Sequence, residues 1–244
     1  MDPCRLSIII ITLNEETRLP RLLDDLAGQS WTEFEIILVD SQSEDATVEV
    51  ARARASEFER YKIIEMDARG VSLGRNTGAE AASGERLLFL DADTRLPPYF
   101  VGEALHELDR KMADVGIVLM SAQGLPLHYK FGFALFNLGI RVTRPFFPTA
   151  IGACLFSTPQ VHCAIGGFDE AIGLCEDCDY VLRAARVAKA DLTIIEPKFW
   201  FDPRRLSQDG FLATGFTYLK ANLRRFFLGE MRNQEIPYRF GHYK

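Results

Sequence analysis

The stretch Leu6–Glu16 (LSIIIITLNEE) carries the pattern from which the fold can be predicted. Its first seven residues are mostly β-branched and apolar, which predicts a strand with both faces buried. A polar turn follows, and leucines at 19, 22, 23 and 26 then have the spacing of an amphipathic helix. The stretch therefore predicts a strand, a turn and a helix in succession.

The same unit recurs along the first part of the chain. Strands are predicted at Glu35–Asp40, Tyr61–Glu65 and Arg86–Asp91, with helices over 45–58 and 72–82 between them. Continuous apolar strands that alternate with helices are typical of βαβ units. We therefore predict an α/β fold with a mostly parallel central sheet and helices on both faces. Ligands of such sheets bind at the carboxyl ends of the strands.

Beyond Pro97-Pro98 the alternation is less regular. A helix to about 111, strands near 115–120 and 151–156, a helix over 177–189 and a strand at 192–195 are predicted. We find no internal repeat and no linker rich in Pro, Gly or Ser. This favours one domain at residues 1–205, followed by a basic, amphipathic helical extension at 206–244.

Composition excludes several classes of protein. The 244 residues are 48% hydrophobic and 25% charged, as in soluble globular domains, which excludes a disordered or collagen-like chain. The sequence lacks a secretory signal and a run of about 18 apolar residues, so we predict a cytoplasmic protein. Five cysteines do not suggest a disulfide framework. With a net charge of −6, nucleic acid is not an expected partner.

Three predicted strands end in polar residues, at 12–15, at 40–43 and at Asp91-Ala92-Asp93. These tips meet at one edge of a doubly wound sheet, so their carboxylates are expected to crowd together there. Carboxylate oxygens are ligands that Mg²⁺ and Mn²⁺ prefer, and such a cation could hold a diphosphate. Each motif alone has a structural alternative, because Asp at a strand end is often a turn former or a helix cap.

Several motifs occur together in one order along the chain. They are the tip at 12–15, VDSQSED at 39–45, Arg75-Asn76, FLDAD at 89–93, GGFDE at 166–170 and CEDCDYVLR at 175–183. This combination resembles family 2 glycosyltransferases of the GT-A fold, over about residues 6–205. The resemblance implies inverting, metal-dependent sugar transfer from a nucleoside diphosphate, with a donor half at about 1–97 and an acceptor half at about 98–205.

The resemblance also implies which residues bind the donor. They are Thr12, Leu13, Asn14, Glu15, Asp40, Ser43, Arg75, Asn76, Asp91, Ala92, Asp93, Arg204 and Arg205. Asp40 is expected on the base or ribose, whereas Arg204 and Arg205 are expected on the diphosphate, with a solvated basic surface as the alternative. Gln42 stands where the family has Gly, which predicts strain if this turn needs a positive φ.

A divalent cation, Mn²⁺ or Mg²⁺, is the implied cofactor. Asp91 and Asp93 match the family's Asp-x-Asp motif, with Asp93 as the main ligand and Asp202 as a further candidate. Such a cation stabilises the negative charge that develops on a departing nucleoside diphosphate. Cys175 and Cys178 form a CxxC without a second pair nearby, so a zinc site is not predicted there.

Glu176-Asp177 matches the acidic pair that opens a helix on the family's acceptor side. The resemblance implies that Asp177 is the general base for the acceptor hydroxyl, with Glu176 beside it. The structural alternative is that Asp177 is the N-cap of the helix, where free amides and the helix dipole favour a carboxylate. The two roles are compatible, because a capping Asp stays ionised.

Two segments suggest contact with lipid. Residues 128–147 are rich in aromatic side chains, and residues 198–244 carry nine Lys and Arg against four Asp and Glu. Together they predict a peripheral protein on the cytoplasmic face of a membrane, acting on a lipid-linked sugar or a polyprenyl phosphate. The alternative is that the aromatic residues form core and that the basic helix is simply solvated.

The functional prediction is sugar transfer from a nucleoside diphosphate sugar, with UDP slightly preferred over GDP, to a carbohydrate or lipid-linked acceptor. The alternative is a non-catalytic module of the same fold that binds nucleotide sugars or carbohydrate. Sugar nucleotidyltransfer is disfavoured because no Gly-rich segment follows the first strand. Dinucleotide-dependent oxidoreduction is disfavoured because no GxGxxG follows any predicted strand.

Overall fold

The computed structural model describes residues 4–200 and 210–232, and within these ranges the chain forms one seven-stranded sheet. The strands are β1 (Leu6–Thr12), β2 (Phe34–Asp40), β3 (Tyr61–Glu65), β4 (Arg86–Asp91), β5 (Val115–Ser121), β6 (Cys154–Ser157) and β7 (Leu192–Trp200). Their order is β3-β2-β1-β4-β6-β5-β7. Strand β6 runs antiparallel to β4 and β5, and the other pairs are parallel. The predicted mostly parallel α/β sheet is confirmed.

Helices cover both faces of this sheet. They are α1 (Leu19–Ala27), α2 (Thr47–Ala53), α3 (Val71–Glu80), α4 (Phe100–Arg110), α5 (Leu127–Thr143), α6 (Pro159–Ala164), α7 (Glu176–Arg186) and α8 (Phe211–Leu228). The helix predicted over 45–58 is shorter than expected, because a 3₁₀ turn at Ala55–Glu57 replaces its last part. In the parts of the chain that are described, no helix has the length and apolar character needed to cross a membrane.

Strand β1 is buried on both faces, as its β-branched sequence predicts. Ile8 and Ile10 point into one hydrophobic cluster, where they meet Leu22 of α1. Ile9 points the other way, into a second cluster that includes Phe89 of β4 and Tyr180 of α7. This alternation is the period of two that a pleated strand imposes on its side chains. The sheet therefore has a separate core on each face.

Helix α3 lies against the sheet, and this position depends on a glycine. A Cβ on Gly78 would stand 2.3 Å from Cγ2 of Ile9 and 3.2 Å from Cγ2 of Val39. Because Gly78 has no side chain, the helix can rest directly on β1 and β2. The close approach carries Arg75, one turn earlier in α3, toward the carboxyl edge of the sheet.

The strand register brings the predicted tips together. Thr12 at the end of β1 pairs with Asp40 at the end of β2, and Ile11 pairs with Asp91 at the end of β4. These three strands are neighbours in the sheet. The polar tips thus share one edge, which is where ligands bind in sheets of this kind.

Candidate functional site

The tips of β1 and β2 are tied together through the buried carboxylate of Asp40. One of its oxygens accepts hydrogen bonds from Oγ1 of Thr12 at 2.8 Å and from Oγ of Ser43 at 2.5 Å. The other oxygen accepts from the backbone N–H of Ser43 at 2.8 Å. Oγ of Ser43 in turn accepts from the backbone N–H of Asn14 at 2.9 Å. Asp40 therefore holds the two loops in a fixed relation.

The turn after β2 has the positive φ at Gln42 that the sequence analysis associated with strain. Gln42 has a φ of 62°, and Asn14 in the neighbouring loop has a φ of 57°. A left-handed conformation costs a residue with a side chain about 1–2 kcal/mol. The amide of Gln42 offsets part of this cost by donating a hydrogen bond from Nε2 to the carbonyl oxygen of Asp67 at 2.7 Å.

Arg75 lies at the centre of the site, with 2% of its side chain exposed. Its Nη1 donates to Oε1 of Glu176 at 2.8 Å, and its Nη2 donates to Oδ1 of Asp91 at 2.9 Å. Nη2 also donates to the carbonyl oxygen of Gly152 at 3.1 Å, and the guanidinium lies 5.1 Å from the centre of the Phe168 ring. One buried cation thus contacts β4, α7 and the segment that precedes β6.

The charge of Arg75 is stable in this position. Burial alone would lower its pKa, but the carboxylates of Asp91 and Glu176 outweigh that effect and leave the pKa of Arg75 raised. A buried charge is tolerated when it is paired and hydrogen-bonded in this way. Arg75 therefore acts as a permanent positive charge between two carboxylates.

Asp177 lies beside this ion-pair network. Its Oδ2 accepts a hydrogen bond from the backbone N–H of Gly152 at 2.5 Å, and its Oδ1 accepts from the backbone N–H of Cys178 at 2.7 Å. A Cβ on Gly152 would stand 2.8 Å from Nη2 of Arg75 and 3.2 Å from Cβ of Asp177. The absence of a side chain at Gly152 lets both residues approach the same backbone segment.

The surroundings of Asp177 favour its neutral form. Burial, and after it the negative charge of Glu176, raise the pKa of Asp177 to about 6, although Arg75 opposes the shift. The carboxylate is therefore ionised at neutral pH but close to its titration range. A group of this kind suits the transfer of a proton. Cys175, with a φ of 65°, occupies the N-cap of α7, so Asp177 lies in the first turn rather than at the cap.

The loop at 166–170 is fixed between α3 and α7. Nδ2 of Asn76 donates to the carbonyl oxygen of Phe168 at 3.0 Å and to Oε1 of Glu170 at 2.9 Å, while its Oδ1 accepts from the N–H of Phe168 at 2.8 Å. Nη1 of Arg183 donates to the carbonyl oxygen of Gly167 at 2.8 Å. The side chain of Asn76, predicted to contact a donor, is therefore bonded to this loop.

The tip of β4 offers oxygens that suit a divalent cation. Asp91 keeps 36% of its side chain exposed beside Arg75, and Asp93 is half-buried two residues further on. Residues 4–200 and 210–232 contain no group of three or more His, Cys, Asp or Glu that could hold a metal. Mg²⁺ is nevertheless usually bound through one or two carboxylates together with substrate phosphates. The donor set at Asp91 and Asp93 fits that kind of site.

Three predicted residues, Asp202, Arg204 and Arg205, lie outside the described residues. Conversely, Gly152 was not predicted to belong to the site. It lies between Ile151 and Ala153, and nothing in this local sequence indicates a role in binding or catalysis. Arg225 of α8 was also missed as a site neighbour. Its positive charge is one of the effects that oppose the raised pKa of Asp177.

Comparison with known proteins identifies a family. Residues 7–151, more than half of the chain, match the profile described as Glycosyl transferase family 2. A PGL/p-HBAD biosynthesis glycosyltransferase of Mycobacterium tuberculosis is 43% identical over 91 residues, which are 37% of this chain and 36% of that protein. Glycosyltransferase AglE of Haloferax volcanii is 36% identical over 90 residues, 36% of this chain and 30% of AglE. The match thus spans about a third of these curated relatives.

Solved structures share the fold. S. aureus TarS in complex with UDP-GlcNAc has a TM-score of 0.65 and 22% identity, covering 80% of this chain and 58% of that one. A mannosyltransferase from Pyrobaculum calidifontis, in complex with GDP-Man and Mn²⁺, has a TM-score of 0.67 and 21% identity, covering 79% of this chain and 55% of that one. At this identity the likeness concerns the fold, which is the predicted GT-A architecture.

Removal of the Arg75 guanidinium is expected to be severely destabilising. The substitution Arg75→Met leaves Asp91 and Glu176 without their shared cation, and should lower the free energy of unfolding by about 3–5 kcal/mol. The matched control is Arg52→Met, because Arg52 forms an exposed ion pair with Glu65. Its loss should cost about 0–1 kcal/mol. Urea unfolding measures the free energy of unfolding of both variants. If Arg75→Met lowers it by no more than Arg52→Met does, the role of Arg75 is contradicted.

The raised pKa of Asp177 predicts a pH-dependent stability. Because the folded protein binds this proton more tightly than the unfolded chain, the contribution of Asp177 to wild-type stability falls as pH rises from 3.8 to about 6. In the variant Asp177→Asn, residue 177 does not titrate, so its contribution to stability does not change with pH. The stability of the variant relative to wild type should therefore increase across that window and stay constant above it.

Urea unfolding of wild type and variant over the same pH series measures this difference. The control is Asp191→Asn, which replaces an exposed carboxylate just before β7. A difference between wild type and Asp177→Asn that does not vary with pH would show that Asp177 is not held in an environment that favours its neutral form.

Proposed function

The chain belongs to glycosyl transferase family 2, and on that basis we propose that it transfers a sugar from a nucleoside diphosphate donor to an acceptor, with inversion at the sugar carbon. The observation that carries this proposal is the arrangement around Arg75. One buried cation joins Asp91, at the tip of a donor-side strand, to Glu176, at the start of the helix that holds Asp177. In this proposal, Arg75 holds a carboxylate of the donor and metal site close to the helix that carries the proposed base.

Donor binding is proposed at the shared edge of β2, β1 and β4. The loops that Asp40 ties together, with Thr12, Asn14 and Ser43, are candidates to hold the base and ribose. Their hydrogen bonds fix the loops before a ligand arrives, which lowers the entropy cost of binding. Leu13, Glu15 and Ala92 belong to the same tips and are part of the proposed donor site.

Asp93 and Asp91 would hold a divalent cation, Mn²⁺ or Mg²⁺. When bound, such a cation supplies positive charge that stabilises the negative charge on a departing nucleoside diphosphate. Arg75 does not replace it, because its guanidinium already binds Glu176, Asp91 and Gly152. We assign Arg75 instead to positioning Asp91. Arg204 and Arg205 remain candidates for the diphosphate.

Asp177 is proposed as the general base. Of the two adjacent carboxylates, Glu176 is bound to Arg75, whereas Asp177 accepts backbone N–H groups and has a pKa raised to about 6. Its oxygen would take the proton of an acceptor hydroxyl as that oxygen attacks the sugar carbon. An acceptor phosphate is different, since its second pKa is about 6 and its oxygen is largely ionised at neutral pH. Such an acceptor would depend less on Asp177.

The donor base and the acceptor are part of the proposal. We infer a slight preference for UDP over GDP, and a carbohydrate or lipid-linked acceptor such as a polyprenyl phosphate. TarS binds UDP-GlcNAc and the Pyrobaculum mannosyltransferase binds GDP-Man in their solved complexes, so both bases are suitable probes. A lipid-linked acceptor would place the protein at the cytoplasmic face of a membrane.

Calorimetric titration with UDP and with GDP, each with Mn²⁺ and with EDTA, tests the donor site. We expect one nucleotide to bind in the presence of the metal, and EDTA or Asp93→Ala to abolish that binding, because the carboxylate is a proposed ligand. The matched control is Asp191→Ala, at the amino edge of the sheet, which should bind like wild type. No binding to a folded wild-type protein would contradict the proposed function.

The variant Asp177→Asn separates binding from transfer. It should bind the nucleotide as wild type does, and lower the rate of transfer to a hydroxyl acceptor by about 10²–10⁴-fold. Release of free nucleotide from UDP-sugars and GDP-sugars, with a panel of hydroxyl acceptors, measures that rate. Nucleotide binding without any turnover would favour a non-catalytic nucleotide-sugar module instead.

A further inference from the structure

Helix α5 exposes a stripe of large apolar side chains. The stripe consists of Leu127, Phe131, Leu135, Leu138 and Val142, and each of these is at least 54% exposed. Their spacing of four, four, three and four residues puts them on one face of the helix. Phe133 and Ile140, which are buried, lie on another face of the helix and belong to the two hydrophobic clusters of the core. The exposed stripe is therefore not part of the core.

Helix α8 repeats this arrangement. Its buried residues Thr214, Ala221 and Arg225 lie on the face toward the body of the protein, where Ala221 packs with Cys175 and Cys178. The opposite face carries a second exposed stripe, which consists of Phe216, Leu219, Leu223, Phe226 and Phe227, each at least 50% exposed. Helix α8 therefore packs on the protein through one face, while the large apolar side chains of its other face are not buried by the described residues.

The two helices are neighbours, and α8 is firmly held. Phe136 lies 6.4 Å from Tyr218 between ring centres, and Phe147 lies 5.3 Å from Phe226. Arg225 is fully buried, binds Glu230 with two hydrogen bonds at 2.6 and 2.8 Å, and lies 5.1 Å from the centre of the Phe147 ring. The two exposed stripes thus lie on helices that touch each other, and we call them together the apolar face.

The charged side chains on α5 and α8 themselves are all cationic. Neither α5 nor α8 contains Asp or Glu, and none occurs anywhere between residues 115 and 168. The two helices and the residue after α5 carry the exposed cations Lys130, Arg141, Arg144 and Lys220. Among the described residues, Glu230, which follows α8, is paired with Arg225, and Asp169 is paired with Arg232. The surface is therefore apolar at its centre and cationic at its edge.

We propose that the apolar face docks on a bilayer that contains anionic lipid. Phenylalanine and leucine side chains enter the boundary between headgroups and acyl chains, while Lys and Arg on the same helices attract anionic headgroups. A protein partner would have to offer a wide apolar surface edged with acidic groups. A second copy of this chain offers the same cationic edge, so two such faces would repel each other.

Docking would also bring lipid to the site. Helix α8 packs on Cys175 and Cys178, which flank Asp177, and the charge of Arg225 acts on that carboxylate. An acceptor anchored in the same bilayer would be presented next to the proposed base. This last consequence rests on the proposed function, whereas docking itself does not.

Co-sedimentation with vesicles tests the proposal in the absence of any nucleotide. The full chain is mixed with vesicles of phosphatidylcholine, or of phosphatidylcholine with phosphatidylglycerol. We expect binding to the mixed vesicles that weakens as salt rises. The double variant Phe131→Ser with Phe227→Ser should weaken that binding about tenfold or more, because two large apolar side chains no longer enter the bilayer.

Matched controls separate docking from a general loss of apolar or cationic surface. The control for the apolar change is Met112→Ser with Val187→Ser, two exposed residues outside the apolar face, which should bind as wild type does. Lys130→Gln with Arg141→Gln should weaken binding to the mixed vesicles, whereas Arg110→Gln with Arg186→Gln should not. All four positions are exposed, so each variant is expected to fold.

Three results would overturn the proposal. In the first, the wild-type protein does not bind the mixed vesicles. In the second, the variant Phe131→Ser with Phe227→Ser binds them as strongly as wild type does. In the third, the wild-type protein is a dimer that does not bind vesicles, and the same variant is a monomer. The last would assign the face to a second copy. Nucleotide titration is independent of all three, so failure of the donor site and failure of docking can be told apart.

Discussion

The structure depends on one buried cation. Arg75 reaches from α3 to Asp91 at the end of β4, to the carbonyl group of Gly152, and to Glu176 at the start of α7. A guanidinium inside a protein must be paired, and these partners come from widely separated parts of the chain. The position of α7, and with it that of Asp177, is therefore fixed relative to the strand that ends in Asp91.

Two glycines make this contact possible. Gly78 lets α3 rest on β1 and β2, and Gly152 leaves room for Arg75 and Asp177 on the same backbone segment. Burial against these groups is also the main reason that the pKa of Asp177 is raised to about 6. The packing that positions Asp177 therefore also raises its pKa.

Sequence reasoning works best where local pattern decides the structure. The bounds of β1, β3 and β4 agree with prediction because each contains consecutive apolar residues and ends in a polar residue. The later strands agree less well, since β7 continues through Pro197. The partners of Arg75 could not be predicted from local pattern, because Glu176 lies 101 residues away in the chain. Likewise, the pKa of Asp177 depends on burial, which no spacing reveals.

We propose that Arg75 keeps Asp91 and Glu176 together while Asp91 and Asp93 hold a cation for the donor. A crystal structure of the full chain with UDP or GDP and Mn²⁺, using anomalous diffraction from manganese, would locate both the cation and the guanidinium. We expect an anomalous peak at the carboxylates of Asp93 and Asp91, with Arg75 still bonded to Glu176. A peak elsewhere, or an Arg75 that has left Glu176 for the diphosphate, would contradict it.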